Sequence, residues 1–219
     1  MVIREKFHGD LKELQSKLIK LGNFAGDALT KSLIALDKHD IDLSLQIIED
    51  DAKADFLEEE INDLALLLLV KQQPVAIDLR RIIVAIKIAS DIERIADFAT
   101  NIAKSTIRIG KDPHIKPLEH IKNMHKLTLE MLKLSLESFD EEDVEKAKKV
   151  AEMDDKVDAL YDDAIKELLK LNQKNQEYLP QITQLSFVCR YLERSADHIT
   201  NIGEYVYYLV KGKRLDLNS

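Results

Sequence analysis

Residues 93–102 read ERIADFATNI, and residues 193–202 read ERSADHITNI. The two segments have Glu, Arg, Ala and Asp in common at their start and the run Thr-Asn-Ile at their end. A second pair of segments aligns with an offset of 103 residues. The first segment has Asp51, Lys53, Asp55, Leu57 and Glu59, and the second has Asp154, Lys156, Asp158, Leu160 and Asp162. A repeat of this period predicts that the chain contains two copies of one structural unit.

The spacing of the apolar residues predicts that each copy consists of three helices. Only 6 Gly and 4 Pro occur in 219 residues, which favours long helices over a turn-rich fold. The clearest linker is the stretch 110–113, a helix-ending Gly followed two residues later by Asp-Pro. The spacing predicts helices at about residues 4–37, 41–72, 75–109, 117–139, 141–171 and 180–211. We therefore predict an all-α fold of six long helices in two tandem, pseudo-symmetric three-helix bundles, residues 6–110 and 115–212.

The charge and hydropathy of the chain exclude several classes of function. With 32 Lys and Arg against 40 Asp and Glu, the formal charge is −8, which disfavours binding to nucleic acid. The longest purely apolar run, 64–70, is far shorter than the roughly 20 residues of a membrane-spanning helix, so we expect a soluble protein. The single cysteine, Cys189, excludes a disulfide within the chain, fits an intracellular location and is expected to be a buried structural thiol.

Four of the predicted helices carry ladders of acidic or amide side chains spaced four residues apart. Four residues overshoot one helical turn by only about 40°, so each ladder forms a strip of oxygen atoms along one side of its helix. Apolar residues border each strip, and the ladders are therefore predicted to flank the core. The ladder residues are Asp51, Asp55 and Glu59, then Glu93, Asp97 and Asn101, then Asp154, Asp158 and Asp162, and finally Glu193, Asp197 and Asn201.

These ladders are candidate metal ligands. Acids stacked at this spacing repel one another by a few tenths of a kcal/mol per pair, and a bound cation would reverse that repulsion. Carboxylate and amide oxygens suit Mg, Mn, Ca or iron, zinc is less favoured, and neighbouring helices could hold more than one ion. The alternative is that the acids are solvated and neutralised by lysines such as Lys53 and Lys156.

The repeated motifs resemble those of the PhoU family of phosphate-uptake regulators. The matching stretches are 93–97 and 193–198, each with the Asn-Ile pair at 101–102 or 201–202, and the segment QPVAIDLRR at 73–81. Together with the duplicated six-helix plan, the resemblance covers nearly the whole chain.

The resemblance implies a regulatory role. PhoU-like proteins are cytoplasmic, often form homodimers and reach the membrane only through their partners. They act as adaptors between the ATPase subunit of the phosphate ABC transporter and a sensor histidine kinase, and they repress the phosphate-starvation response when phosphate is plentiful. The family binds metal clusters through paired E/D-x-x-x-D motifs, which implies the same role for the twelve ladder residues here.

The chain departs from the family pattern beside both motifs. Ala96 and Ala196 stand where the family often has Gly, and Phe98 stands where it often has His. His198 retains the His but points about 100° away from Asp197, so we expect it to be a packing or surface residue. Four arginines are candidates for contact with a partner or phosphate, with ordinary salt bridges as the alternative: Arg80, Arg81, Arg94 and Arg194.

A di-metal carboxylate enzyme of the helical-bundle kind and a metal-storage protein are the competing hypotheses. Such enzymes carry a Glu-x-x-His motif on inward-facing helices. None of the four ladders contains a Glu-x-x-His motif. The sequence has neither a glycine-rich phosphate loop nor a familiar order of nucleophile and base. We therefore predict a regulator that is not an enzyme.

Overall fold

The all-α prediction is confirmed by a computed structural model, which describes residues 2–215 of the chain. Within that range the elements are seven α-helices and one short 3-10 helix, and no helix is long and apolar enough to cross a membrane. The α-helices are α1 (Val2–Lys38), α2 (Ile41–Asp50), α3 (Ala52–Gln72), α4 (Ala76–Ile109), α5 (Glu119–Glu141), α6 (Val144–Lys174) and α7 (Leu179–Lys211), and the 3-10 helix is Gln176–Tyr178. The helices α1 to α4 form the first repeat, and α5 to α7 form the second.

The second predicted helix is divided at Asp51 into α2 and α3. Asp51 keeps helical dihedral angles, with φ −54° and ψ −45°, and its carbonyl accepts a tight bond from the Ala54 N–H at 2.8 Å. The α-helical hydrogen-bond pattern is therefore interrupted at Asp51, while the backbone keeps helical dihedral angles. In the second repeat, α6 runs through the equivalent Asp154 without interruption.

Aspartates begin the equivalent helices of the two repeats. The Asp40 carboxylate accepts a bond from the Leu43 N–H at 2.9 Å and caps α2. In the second repeat, Asp143 caps α6 by accepting a bond from the Glu145 N–H at 2.8 Å. Each cap satisfies an N–H group that has no partner within its own helix.

The two repeats share one continuous hydrophobic core. Helices α4 and α7 lie at its centre and run antiparallel, so that Asp91 faces His198 while Phe98 faces Tyr191. Cys189 on α7 is fully buried, as predicted, and burial raises the pKa of its thiol to about 12.

Helices α1 and α5 also pack across the boundary between the repeats. The buried His125 ring donates to the Leu29 carbonyl at 3.0 Å, and Lys122 pairs with Asp37 at 2.7 Å. The outer helices α3 and α6 complete the two ends, α3 against α1 and α4, and α6 against α5 and α7.

Candidate functional site

Each repeat brings four ladder acids together where its outer helix meets the central helix. The first acidic cluster consists of Asp51, Asp55, Glu93 and Asp97, which lie where the start of α3 meets α4. The Thr100 hydroxyl, one helical turn beyond Asp97, donates a hydrogen bond to Asp51 at 3.0 Å.

The second acidic cluster consists of Asp154 and Asp158 on α6 and of Glu193 and Asp197 on α7. Asp154 is only 7% exposed, and its buried Oδ1 atom has no hydrogen-bond partner among the described residues. Glu193 accepts a bond from Arg190 at 2.6 Å through Oε1, but its buried Oε2 atom is likewise unpartnered within the described part of the chain. A buried oxygen without a partner leaves a desolvation cost that is not repaid.

Burial and mutual repulsion raise the pKa values in both clusters. In the first, burial, followed by the charge of Asp97, raises the pKa of Glu93 to about 7. In the second, burial, followed by the charges of Asp158 and Asp197, raises the pKa of Asp154 to about 7. The pKa of Glu193 rises to about 6 for the same reasons, burial first and Asp197 second. Near neutral pH, both clusters therefore favour a bound proton or another positive charge.

The side chains of these clusters are of the type that binds cations, but their oxygen atoms are not close enough together to coordinate one ion. Every donor is a carboxylate oxygen, and the second cluster offers two buried oxygens that have no hydrogen-bond partner in the described part of the chain. Among residues 2–215, however, no three His, Cys, Asp or Glu side chains stand close enough to hold an ion. Side-chain rotation would have to bring the oxygens together around an ion.

The outer positions of the ladders lie at the edge of these clusters or beyond it, and the charge of Asp162 still helps to raise the pKa of Asp158, after burial and the charges of Asp197 and Asp155. Glu59 and Asp162 are exposed, and Asp162 lies 3.9 Å from Lys166. The α3 acids whose charges act on Glu93 are Asp55 and Glu58. The spacing rule missed Glu58, which comes one residue before the ladder position. Asn101 is half-buried, and Asn201 donates to Asp91 at 3.2 Å.

The contact between α4 and α7 explains the departure at Phe98. On one side of this contact the His198 ring lies 2.6 Å from the buried carboxylate of Asp91. On the other side, Phe98 stacks on Tyr191 with 6.0 Å between ring centroids. Positions 91 and 191, like 98 and 198, correspond in the repeat, so a polar pair and an aromatic pair occupy equivalent places. His198 is therefore a half-buried packing residue, in line with its predicted orientation.

The four arginines that the sequence analysis identified all contact other residues of this same chain. Arg94 bonds to Asp97 at 2.9 Å, which places it at the edge of the first acidic cluster. Arg194 lies 5.1 Å from the centroid of the Phe98 ring. Arg81 bonds to Glu142 at 2.8 Å and to Asp78 at 3.1 Å. Arg80 packs against Gly212, just beyond the end of α7.

The fold and the paired acidic clusters define a class of duplicated three-helix-bundle proteins. The sequence matches the family model described as the PhoU domain twice, over residues 18–106 and 121–206. It is 38% identical to a phosphate-specific transport system accessory protein PhoU homolog of Clostridium acetobutylicum, over 98% of this chain and 99% of that protein.

Solved structures agree with these matches. The crystal structure of PhoU from Pseudomonas aeruginosa superposes with a TM-score of 0.90 at 29% identity, covering 94% of this chain and 100% of that one. The phosphate transport system regulatory protein PhoU from Streptococcus pneumoniae also gives a TM-score of 0.90, at 31% identity, covering 96% of this chain and 99% of that one. This chain belongs to the PhoU family.

Proposed function

We propose that this protein is an accessory protein of a phosphate transport system, which limits phosphate uptake and represses the phosphate-starvation response. Family membership across both repeats carries this proposal, since relatives named for phosphate transport align over almost the full chain. The role is that of an adaptor between the transporter ATPase subunit and a sensor histidine kinase. It places the protein in the cytoplasm, as a homodimer that meets the membrane through its partners, and it requires no catalysis.

The two acidic clusters are proposed to bind cations as part of this role. The ligands would be Asp51, Asp55, Glu93 and Asp97 in the first and Asp154, Asp158, Glu193 and Asp197 in the second, with Glu59, Asn101, Asp162 and Asn201 as outer candidates. The unpartnered oxygens of Asp154 and Glu193 support binding most directly. A bound cation would neutralise the buried charge, and oxygen donors favour iron, Mn or Mg over Zn.

A deletion strain carrying a reporter for phosphate-starvation genes tests the regulatory role. In phosphate-rich medium, we expect the deletion to derepress the reporter and the native chain to restore repression. An unchanged reporter in the deletion strain would refute the role.

The double variant Glu193→Ala, Asp197→Ala tests the second acidic cluster separately. It should bind less metal while keeping its helical circular dichroism, since both side chains lie at the edge of the core. The variant Glu152→Gln, an exposed acid on α6, is the matched control and should keep its metal. Unaltered metal content in the double variant would remove these two residues from the site.

A further inference from the structure

A groove of about 680 Å³ runs between α1 and α5. On α1 it extends from Ile19 to Thr30, and on α5 from Leu129 to Glu141. At 1.5 Å per residue, these spans correspond to a length of roughly 17 Å, or about three helical turns. Neither helix contributes an acid to the clusters, although Asp27 at the rim of the groove also lines a small cavity that contains Asp51 of the first cluster.

Two glycines on α1 shape the floor of the groove. A Cβ atom at Gly22 would lie 2.6 Å from Leu136, so α1 and α5 make close contact at this point. At Gly26 the same atom would lie 3.5 Å from Leu132, an ordinary contact distance. A Cβ atom at Gly26 would fit against Leu132 and Leu129 without overlap, whereas a larger side chain would extend into the groove that these residues line.

The rims of the groove are acidic. Asp27, Asp140 and Glu141 are exposed, and Glu137 is half-buried. Lys146 pairs with Glu141 at 2.8 Å and with Glu137 at 3.4 Å, which offsets part of the charge. Within the described residues, Asp27 has no ion pair, and Asp140 accepts a bond only from the neutral Gln15 side chain at 2.8 Å. Among the described residues that line the groove, Lys133 alone is basic, and its Nζ lies 4.0 Å from Glu137.

We infer that this groove is a docking surface for an amphipathic helix of a partner protein, about three turns long and flanked by Lys or Arg. Such a helix would place a narrow apolar ridge over Ile19, Gly26 and Leu129 and its cations beside the acids of the two rims. A second copy of this chain fits less well, because it carries a formal charge of −8 and would bring more acids to an acidic surface. The inference names a surface for the proposed adaptor and does not depend on cation binding at the clusters.

Fluorescence anisotropy with a labelled peptide tests the inference. The probe is a helical peptide of about 14 residues with leucines along one face and lysines beside them, compared with a twin in which Glu replaces each Lys. We expect the lysine peptide to bind the full chain at low salt at least ~10-fold more tightly than its twin, and the difference to shrink at high salt.

Variants of the chain then assign the binding to the groove. Gly26→Leu adds a side chain to the floor of the groove, and Asp27→Asn with Asp140→Asn removes two rim charges that have no ion pair among the described residues; each should weaken peptide binding about tenfold or more. Glu152→Gln with Asp163→Asn, two exposed acids on α6, is the charge-matched control and should bind as the native chain does. Circular dichroism and thermal melting show whether each variant keeps its fold.

Three results would overturn the inference. They are no binding of the lysine peptide, equal binding of both peptides, and self-association of the native chain that Gly26→Leu abolishes, which would make a second copy the occupant. Failure of the regulatory role is distinguishable, because it would appear as an unchanged reporter in the deletion strain whatever the peptide does.

Discussion

Replacing Asp154 by Asn should stabilise the metal-free protein at alkaline pH and leave it unchanged in acid. Burial and the charges of Asp158 and Asp197 raise the pKa of Asp154 from 3.8 to about 7 in the folded chain. Since this value lies above that of the unfolded chain, the folded state binds the proton more tightly. The contribution of Asp154 to the free energy of unfolding is therefore greatest below about pH 4, and it is lost as the pH rises through about 7.

The size of the effect follows from the same shift. Each pKa unit corresponds to about 1.4 kcal/mol, so a rise from 3.8 to about 7 gives an upper bound of about 4 kcal/mol. Local rearrangement and the entry of water reduce this value, and we expect a gain of about 2–4 kcal/mol in the free energy of unfolding at pH 8. Asn preserves the shape of Asp and removes the charge.

Urea unfolding of chelator-treated protein at pH 5 and pH 8 measures the effect, with Glu152→Gln as the exposed-acid control. The free energy of unfolding of the Asn variant, relative to that of the native chain, should be higher at pH 8 than at pH 5. For the control, this difference should be the same at both pH values. Equal stability of native chain and Asn variant at pH 8, or a loss at pH 8, would refute the claim that a buried, repelled carboxylate is present at this position.

Three further substitutions test the packing around the sites, each by urea unfolding. Gly22→Ala should lower the free energy of unfolding by about 1 kcal/mol, because its Cβ would lie 2.6 Å from a δ carbon of Leu136 and this overlap outweighs the better helix propensity of Ala; a gain in stability would show that α1 and α5 are not so close. Asp40→Ala removes the cap on α2 and should cost about 1 kcal/mol; no loss would contradict the capping bond. His198→Gln should cost about 1–3 kcal/mol by weakening the contact to the buried Asp91, while a neutral result would show that this pair does not hold α4 to α7.

The sequence predicted the helices and their duplication, because both depend on local spacing. The apolar residues and the breakers at Gly110 and Pro74 placed the helix ends within a few residues of those observed. The interruption between α2 and α3 at Asp51 was not predicted. Its carboxylate bonds to Thr100 on another helix, and spacing within one segment carries no information about such a contact.

The acids were predicted only in part for a related reason. A ladder spaced four residues apart extends indefinitely along a helix, but the neighbouring helix covers only its first position on α3 and on α6. Asp51 and Asp154 are therefore buried or half-buried, while the later acids of both ladders are exposed. Asp91 was missed because it stands alone on the apolar side of α4, and its partners His198 and Asn201 lie more than 100 residues away. One signal in the sequence could have identified Asp91. It is an acid at a position where the other repeat has Tyr191, so it breaks the repeat within an apolar helix face.

Metal content per chain is the most direct test of cation binding by the acidic clusters. Protein purified without chelator or a nickel column would be measured by elemental analysis, beside a variant with Glu93, Asp97, Glu193 and Asp197 all changed to Ala. We predict that the native chain carries iron, Mn or Mg and that the variant, still helical by circular dichroism, has lost it. A native chain that stays metal-free after incubation with these cations, or a folded variant that retains its metal, would contradict the proposal.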